Sequence, residues 1–278
     1  MKTIGVIPAR LSSSRLPRKL LLDRSGKPLL QYAWEAACAA SSLDEVLVAA
    51  DCEEIAACVR GFGGRAELTG EHPSGTDRVA EVVRRCCVDA EIIVNLQGDE
   101  PELKPESIDQ LVTMLANHPQ SEMATLAAPL KRAEDVRDPS CVKVVTAADG
   151  RALYFSRSVI PFVRAREIEE FFETAAKPQS GGDDDSPSSP LSATAGFNPP
   201  WLLHVGIYAY RRLFLLRLTE RPPSPLERLE KLEQLRALEA GATIRVAIIN
   251  EASVGIDTPE DYARFLQRQT SAVADNLL

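Results

Sequence analysis

The chain has 278 residues, of which 45% are hydrophobic and 26% charged: an ordinary soluble globular composition with room for one large domain or two small ones. Its net charge of −8 and pI near 5.1 exclude a general nucleic-acid binder, which would need a basic surface. No apolar run approaches the roughly 18 residues of a membrane span, and the apolar part of MKTIGVIPAR is too short for a secretory signal, so no membrane association and a cytoplasmic location are expected.

In chain order, TIGVI (3–7), EVLVAA (45–50), EIIVNL (91–96) and MATLAA (123–128) are short apolar runs bounded by polar or turn residues, the pattern of buried parallel strands. Between them, PLLQYAWEAACAA starts with a proline suited to a first helical turn, and CEEIAACVRGFGG stops at glycines. TDRVAEVVRRCC sets Val79, Val82 and Val83 on one helical face. Alternating strands and helices predict an α/β fold with an open, mostly parallel sheet and flanking helices. In such folds ligands sit at the carboxyl ends of strands, which places 8–27 and 97–101 on the ligand edge.

Beyond residue 130 the pattern changes. VKVVTAADGRALYFSR predicts a hairpin turning at Asp149-Gly150. From Glu173 to Pro200, 13 of 28 residues are Pro, Gly or Ser, which predicts a disordered surface insertion, with a functional lid as the alternative. LLHVGIYAY then reads as a strand with Leu203, Val205 and Ile207 on one side. PLERLEKLEQLRALEAG reads as a helix whose leucines at 226, 229, 232, 235 and 238 form an apolar stripe for core or dimer packing, ended by Gly241. TIRVAII gives a further strand and DTPEDYARFLQRQ a terminal helix. Cys38, Cys52, Cys58, Cys86, Cys87 and Cys141 show neither CxxC nor paired spacing and are expected to be reduced thiols.

Charge is unevenly distributed. The first 30 residues carry seven basic side chains and one acidic one, so the other 248 sum to about −14. Much of the positive charge lies in ARLSSSRLPRK, directly after the first strand. The loop is neither a P-loop nor a dinucleotide fingerprint. Its cations, hydroxyls and free amides could surround a polyphosphate, or it could be a solvated loop paired with acidic neighbours. In NLQGDEP, Asp99 follows a strand and is well placed to hold Mg²⁺, although Gly-Asp also makes ordinary turns. In GIDTPED, Asp257 is as well suited to capping the last helix as to binding metal. His204 could equally be a packed core histidine, and Arg157 could simply pair with an acid.

Seven segments occur in order: VIPARLSSSRLPRK, SGTDRVAEVV, VNLQGDEP, ALYFSRSVIP, HVGIYAYR, PSPLERLEKLEQLRAL and GIDTPEDYARF. From about residue 3 to 266, apart from the insertion, they resemble the CMP-Kdo synthetase (3-deoxy-manno-octulosonate cytidylyltransferase) family. The basic loop is common to sugar nucleotidyltransferases, whereas VNLQGDEP with SPLExLExLEQLR and GIDTPED is specific to this family. The resemblance implies a Rossmann-like nucleotide-diphospho-sugar transferase fold and a homodimer. It also implies Mg²⁺-dependent transfer of CMP from CTP to Kdo, with release of pyrophosphate, activating Kdo for lipopolysaccharide-type glycan synthesis. One domain would span 1–278, with a core at about 1–130 and 241–278. A smaller sugar-binding and dimerisation part would occupy about 131–240, with 173–200 as the insertion.

By motif, the resemblance places Pro8, Ala9, Arg10, Arg15, Lys19, Ser74 and Arg78 at the nucleotide. It implies Asp99 and Asp257 as metal ligands, and the catalytic set would be Arg10, Arg15, Lys19, Asp99 and Asp257. Gln97, Arg157, His204, Tyr208, Glu233 and Gln234 would line the sugar site. The family reads RLPGK where this chain has RLPRK, so Arg18 stands in place of a glycine. Either the local backbone differs or Arg18 adds a phosphate contact. Two other readings are the same chemistry on a sialic acid or amino-Kdo analogue, and a nucleotide-binding relative without turnover.

Overall fold

A computed structural model of the chain describes residues 1–164, 166–173 and 200–275. The predicted insertion at 173–200 lies, apart from its two end residues, outside them. The four early apolar runs form β1 (Thr3–Ala9), β2 (Glu45–Ala50), β4 (Ile92–Asn95) and β5 (Met123–Pro129). A short strand β3 (Arg65–Leu68), whose polar RAEL sequence carries no apolar run, occupies one sheet edge. The hairpin is β6 (Lys143–Thr146) and β7 (Ala152–Ser156), with Gly150 at φ 82° in the turn. β8 (Leu202–Arg211) and β9 (Ile244–Ile248) complete the set.

All nine belong to one sheet of order β3-β2-β1-β4-β8-β5-β9, with β6 joined to β8 and β7 to β6. β3, β2, β1 and β4 are mutually parallel, and β5 and β9 are parallel. β8 runs antiparallel between the two groups. The later part of the chain thus enters the middle of the sheet rather than standing apart from it.

Successive strand residues point to opposite faces, and both faces here are apolar. On one, Ile4, Val6 and Leu47 pack with Val79, Val82 and Val83 of α3 (Gly75–Cys86). On the other, Ile7, Ala9 and Val48 pack with α1 (Leu29–Ala39), α2 (Glu53–Gly61) and α4 (Pro105–Ala116). The short α5 (Ala133–Arg137) and α6 (Glu170–Glu173) flank Trp201, and α7 (Arg212–Thr219) follows β8 directly.

The predicted leucine-striped helix is two helices, α8 (Pro225–Glu230) and α9 (Gln234–Glu239), broken at Lys231 in the left-handed region (φ 55°). The spacing itself forbids a single face. Steps of three residues fall about 60° short of a turn each, so five leucines wrap around most of an α-helix. With the break, Leu232 and Leu235 are buried, whereas Leu229 is 80% exposed. Ser224 and Glu227 form a capping box at the start of α8, and Glu227 grips Arg236 of α9 through two bonds (2.8 and 2.5 Å), holding the pair together. The last helix, α10 (Pro259–Asp275), packs Tyr262 and Phe265 against Leu16 and Leu29.

Candidate active site

From β1 the chain runs to β2 and β3 on one side and then crosses to β4 on the other, so a crevice opens at the carboxyl ends of β1 and β4. It holds two adjoining lobes. One is lined by Arg10, Lys19, Ser74, Arg78 and Asp99, among others. The second is lined by His204, Tyr208, Lys231 and Gln234, among others. Pro8, Gly75, Gln97 and Glu233 border both.

The basic loop is fixed in several places. Asp51, after β2, accepts the Leu11 N–H with both carboxylate oxygens (3.1 and 3.0 Å). Leu16 plugs into the apolar cluster of Leu29, Ile256, Tyr262 and Phe265, tying the loop to the C-terminal helix. Arg10 faces the first lobe, and its guanidinium has no ion-pair partner among the described residues. Arg78, only 6% exposed, donates to Thr69 Oγ1 and the Gly70 carbonyl (3.2 Å). Ser74 caps α3 by accepting from the Asp77 N–H (3.2 Å), so the helix N-terminus faces the same space.

Lys19 occupies the centre. Its ammonium donates to Asp99 and to Asp257 Oδ1 (2.9 Å), and Arg15 pairs with the other oxygen of Asp257 (2.9 Å). Burial alone would depress the Lys19 pKa, but Asp99 and Asp257 outweigh it and the net shift is upward. Asp257 is not the helix cap. Thr258 takes that role: its Oγ1 accepts from the Asp261 N–H (3.2 Å), and Asp261 accepts from the N–H groups of Thr258 (2.9 Å) and Asp257 (3.2 Å). The Asp257 carboxylate is left for the cations. Gly98, at the turn before Asp99, packs tightly: a Cβ there would lie 3.0 Å from Leu30 Cδ1.

The second lobe is built around an irregularity in β8. Thr125 pairs with Tyr208 but Leu126 pairs with Val205, so Gly206 and Ile207 bulge out of the β5 ladder. The freed Gly206 carbonyl accepts from Gln97 Nε2 (2.9 Å). Tyr208 donates to Gln234 Oε1 (3.2 Å), Gln234 Nε2 lies 3.5 Å from His204 Nδ1, and His204 Nε2 is 3.0 Å from Thr125 Oγ1. The Thr125 hydroxyl donates to the Ile207 carbonyl (2.9 Å) and so accepts from His204 Nε2, which leaves Nδ1 to accept from the Gln234 amide. Loss of water pushes the His204 pKa down to about 3, so the ring is neutral.

A Cytidylyltransferase family model matches residues 4–244. The 3-deoxy-manno-octulosonate cytidylyltransferase of Rhodopirellula baltica is 46% identical over 270 residues, covering 96% of this chain and 98% of that protein. That of Geobacter sulfurreducens is 44% identical over 269 residues, covering 96% and 99%. The chain belongs to the 3-deoxy-manno-octulosonate cytidylyltransferase family. Among solved structures, a CMP:2-keto-3-deoxy-manno-octonic acid synthetase complexed with CTP superposes with a TM-score of 0.82 at 38% identity, covering 98% of this chain and 100% of that one. A cytidylyltransferase from Leptospira borgpetersenii, 15% identical with a TM-score of 0.57 and covering 99% and 95%, shares the fold.

Arg18 and Arg157, both singled out on the family pattern, line neither lobe. Arg18 has a left-handed backbone (φ 57°, ψ 28°), the region that favours glycine, and its side chain pairs with Glu54. The Arg157 guanidinium donates to the backbone carbonyls of Glu230 (2.7 Å), Pro139 (2.9 Å) and Lys231 (3.5 Å). Sequence reasoning missed Asp51 and Thr125, whose roles depend on loop and bulge geometry. All six cysteines are free, and among the described residues no helix is long and apolar enough to cross a membrane.

Proposed function

We propose that this protein transfers CMP from CTP to the anomeric hydroxyl of Kdo, releasing pyrophosphate. The observation that carries this is a cation-lined lobe joined at Gln97 and Glu233 to a lobe of hydroxyl, amide and imidazole groups. The first suits a triphosphate, and the second suits a polyhydroxylated sugar whose attacking oxygen would meet the α-phosphorus at the junction. Arg10, Arg15 and Lys19 bind phosphate oxygens, and the N-terminus of α3 with Ser74 and the buried Arg78 sits on the nucleotide side. Gln97, His204, Tyr208, Glu233 and Gln234 orient the sugar, with Arg157 in support behind them. Attack builds charge on phosphate oxygens and on departing pyrophosphate, so fixed donors around those atoms lower the barrier without a covalent protein intermediate.

Among the described residues no group of three or more His, Cys, Asp or Glu converges as a metal site. Two carboxylates, Asp99 and Asp257, do converge on one cationic point, the ammonium of Lys19. That donor set fits Mg²⁺, which is held through one or two carboxylates plus substrate phosphates. When bound there, Mg²⁺ would neutralise charge on the phosphates. Lys19, displaced from the aspartates, would then turn to the phosphate oxygens beside Arg10.

The chain would act as one catalytic unit in the cytoplasm, as a homodimer, which sedimentation velocity checks. Pyrophosphate release is expected with CTP, Kdo and Mg²⁺. An inactive purified protein overturns the assignment, and preference for a sialic acid in direct competition reassigns the sugar.

A further inference from the structure

Behind the second lobe runs a row of hydrogen bonds, and a single buried hydroxyl sets its direction. Thr125, fully buried on β5 where the register with β8 shifts, lines neither lobe. Its Oγ1 meets three groups: the carbonyls of Val205 (3.1 Å) and Ile207 (2.9 Å) and Nε2 of His204 (3.0 Å). A hydroxyl has one proton and carbonyls only accept, so that proton goes to the bulge and a lone pair is left for the ring. Nε2 of His204 must then donate.

The same constraint passes along the row. The His204 ring is neutral, its pKa pushed down to about 3 by loss of water, so a proton on Nε2 leaves Nδ1 bare. A bare Nδ1 holds the N–H side of the Gln234 amide (3.5 Å), which turns Oε1 to the Tyr208 hydroxyl (3.2 Å). In the other tautomer Nδ1 would carry the proton and draw Oε1 instead. The Gln234 amide would then flip, and the Tyr208 proton would be released from it. His204, Gln234 and Tyr208 all line the lobe, so each direction gives it a different pattern of donors and acceptors.

We propose that Thr125 is a positioning residue for the sugar: by fixing the tautomer of His204 it fixes the direction of the His204–Gln234–Tyr208 row, and so which groups of the lobe donate to sugar hydroxyls and which accept. This rests on the reading of the second lobe as the sugar site.

Two readouts separate this role from packing. The chain has three histidines, so NMR of protein isotope-labelled at histidine can show which ring nitrogen of each is bare, and His204→Gln assigns the signal. Wild-type His204 is expected as a single tautomer with the proton on Nε2. Thr125→Val, which keeps the shape and removes the hydroxyl, is expected to move the proton to Nδ1. It should also raise KM for Kdo about 10-fold, the scale of one misdirected hydrogen bond, with KM for CTP within about twofold of wild type. Thr125→Ser should restore both. A wild-type ring with its proton on Nδ1 overturns the inference without any variant. So does a Thr125→Val protein that loses stability or kcat but keeps its KM for Kdo, since that is packing alone. A wild type that makes no product from CTP and Kdo overturns the sugar-site reading and this inference with it, and the tautomer, read without turnover, tells the two failures apart.

Discussion

At the scale of single residues, the site depends on side chains whose charge is set by what they touch. His204 meets the Thr125 hydroxyl, the Gln234 amide and the rings of Phe155 and Tyr208. With a folded pKa near 3 against about 6.5 when unfolded, the unfolded chain takes up this proton first as pH falls. The contribution is therefore fully present above about pH 6.5 and is lost progressively toward pH 3. His204→Gln is expected to lose less stability than wild type between pH 7 and 4.5, by a margin of roughly 1–3 kcal/mol, read as a smaller fall in melting temperature. Parallel melting curves would refute the neutral imidazole. Arg18 makes the complementary point. It holds a left-handed backbone that favours glycine while its side chain pairs with an acid, Glu54, so its charge is answered away from the crevice.

At the scale of elements, irregular points place the chemistry. The bulge in β8 turns the Gly206 carbonyl to Gln97, and the break at Lys231 separates α8 from α9. The start of α10 is a third case, because Thr258 and Asp261 do the capping and Asp257 is free to meet Lys19 and Arg15. Thr258→Ala should cost about 1 kcal/mol, a melting-temperature loss of roughly 2–4 °C, and should lower kcat severalfold by loosening Asp257. Thr258→Ser should restore both. A Thr258→Ala protein with lowered stability but full kcat would show that capping does not position the carboxylate. These irregularities were faint in the sequence, since a bulge leaves the strand's composition unchanged. The helix break was legible in principle, because leucines every third residue cannot share one α-helical face.

At the scale of the whole molecule, the fold joins the two ends of the chain. Asp99 follows β4 and Asp257 precedes α10, yet one ammonium bonds both, the Ile256 N–H donates to the Asp99 carbonyl (2.9 Å), and Tyr262 and Phe265 pack on Leu16 of the first loop. Groups acting as one unit are non-additive. Asp99→Asn and Asp257→Asn are each expected to lower kcat by about 10² to 10³ with the fold intact by circular dichroism, and the double variant should lose little more than the worse single one. Strictly multiplicative losses would mean that the two carboxylates act separately. The sequence by itself determined the α/β class, the strands β1, β2, β4 and β5 and the placing of the basic loop at a strand's end, because local apolar patterning and turn chemistry dictate those features. Only the tertiary structure decided that β8 enters the middle of the sheet, that Asp257 is freed from capping and that Arg157 is spent on carbonyls. Each of those outcomes depends on which distant groups reach a side chain first, and distance along the chain carries no record of it.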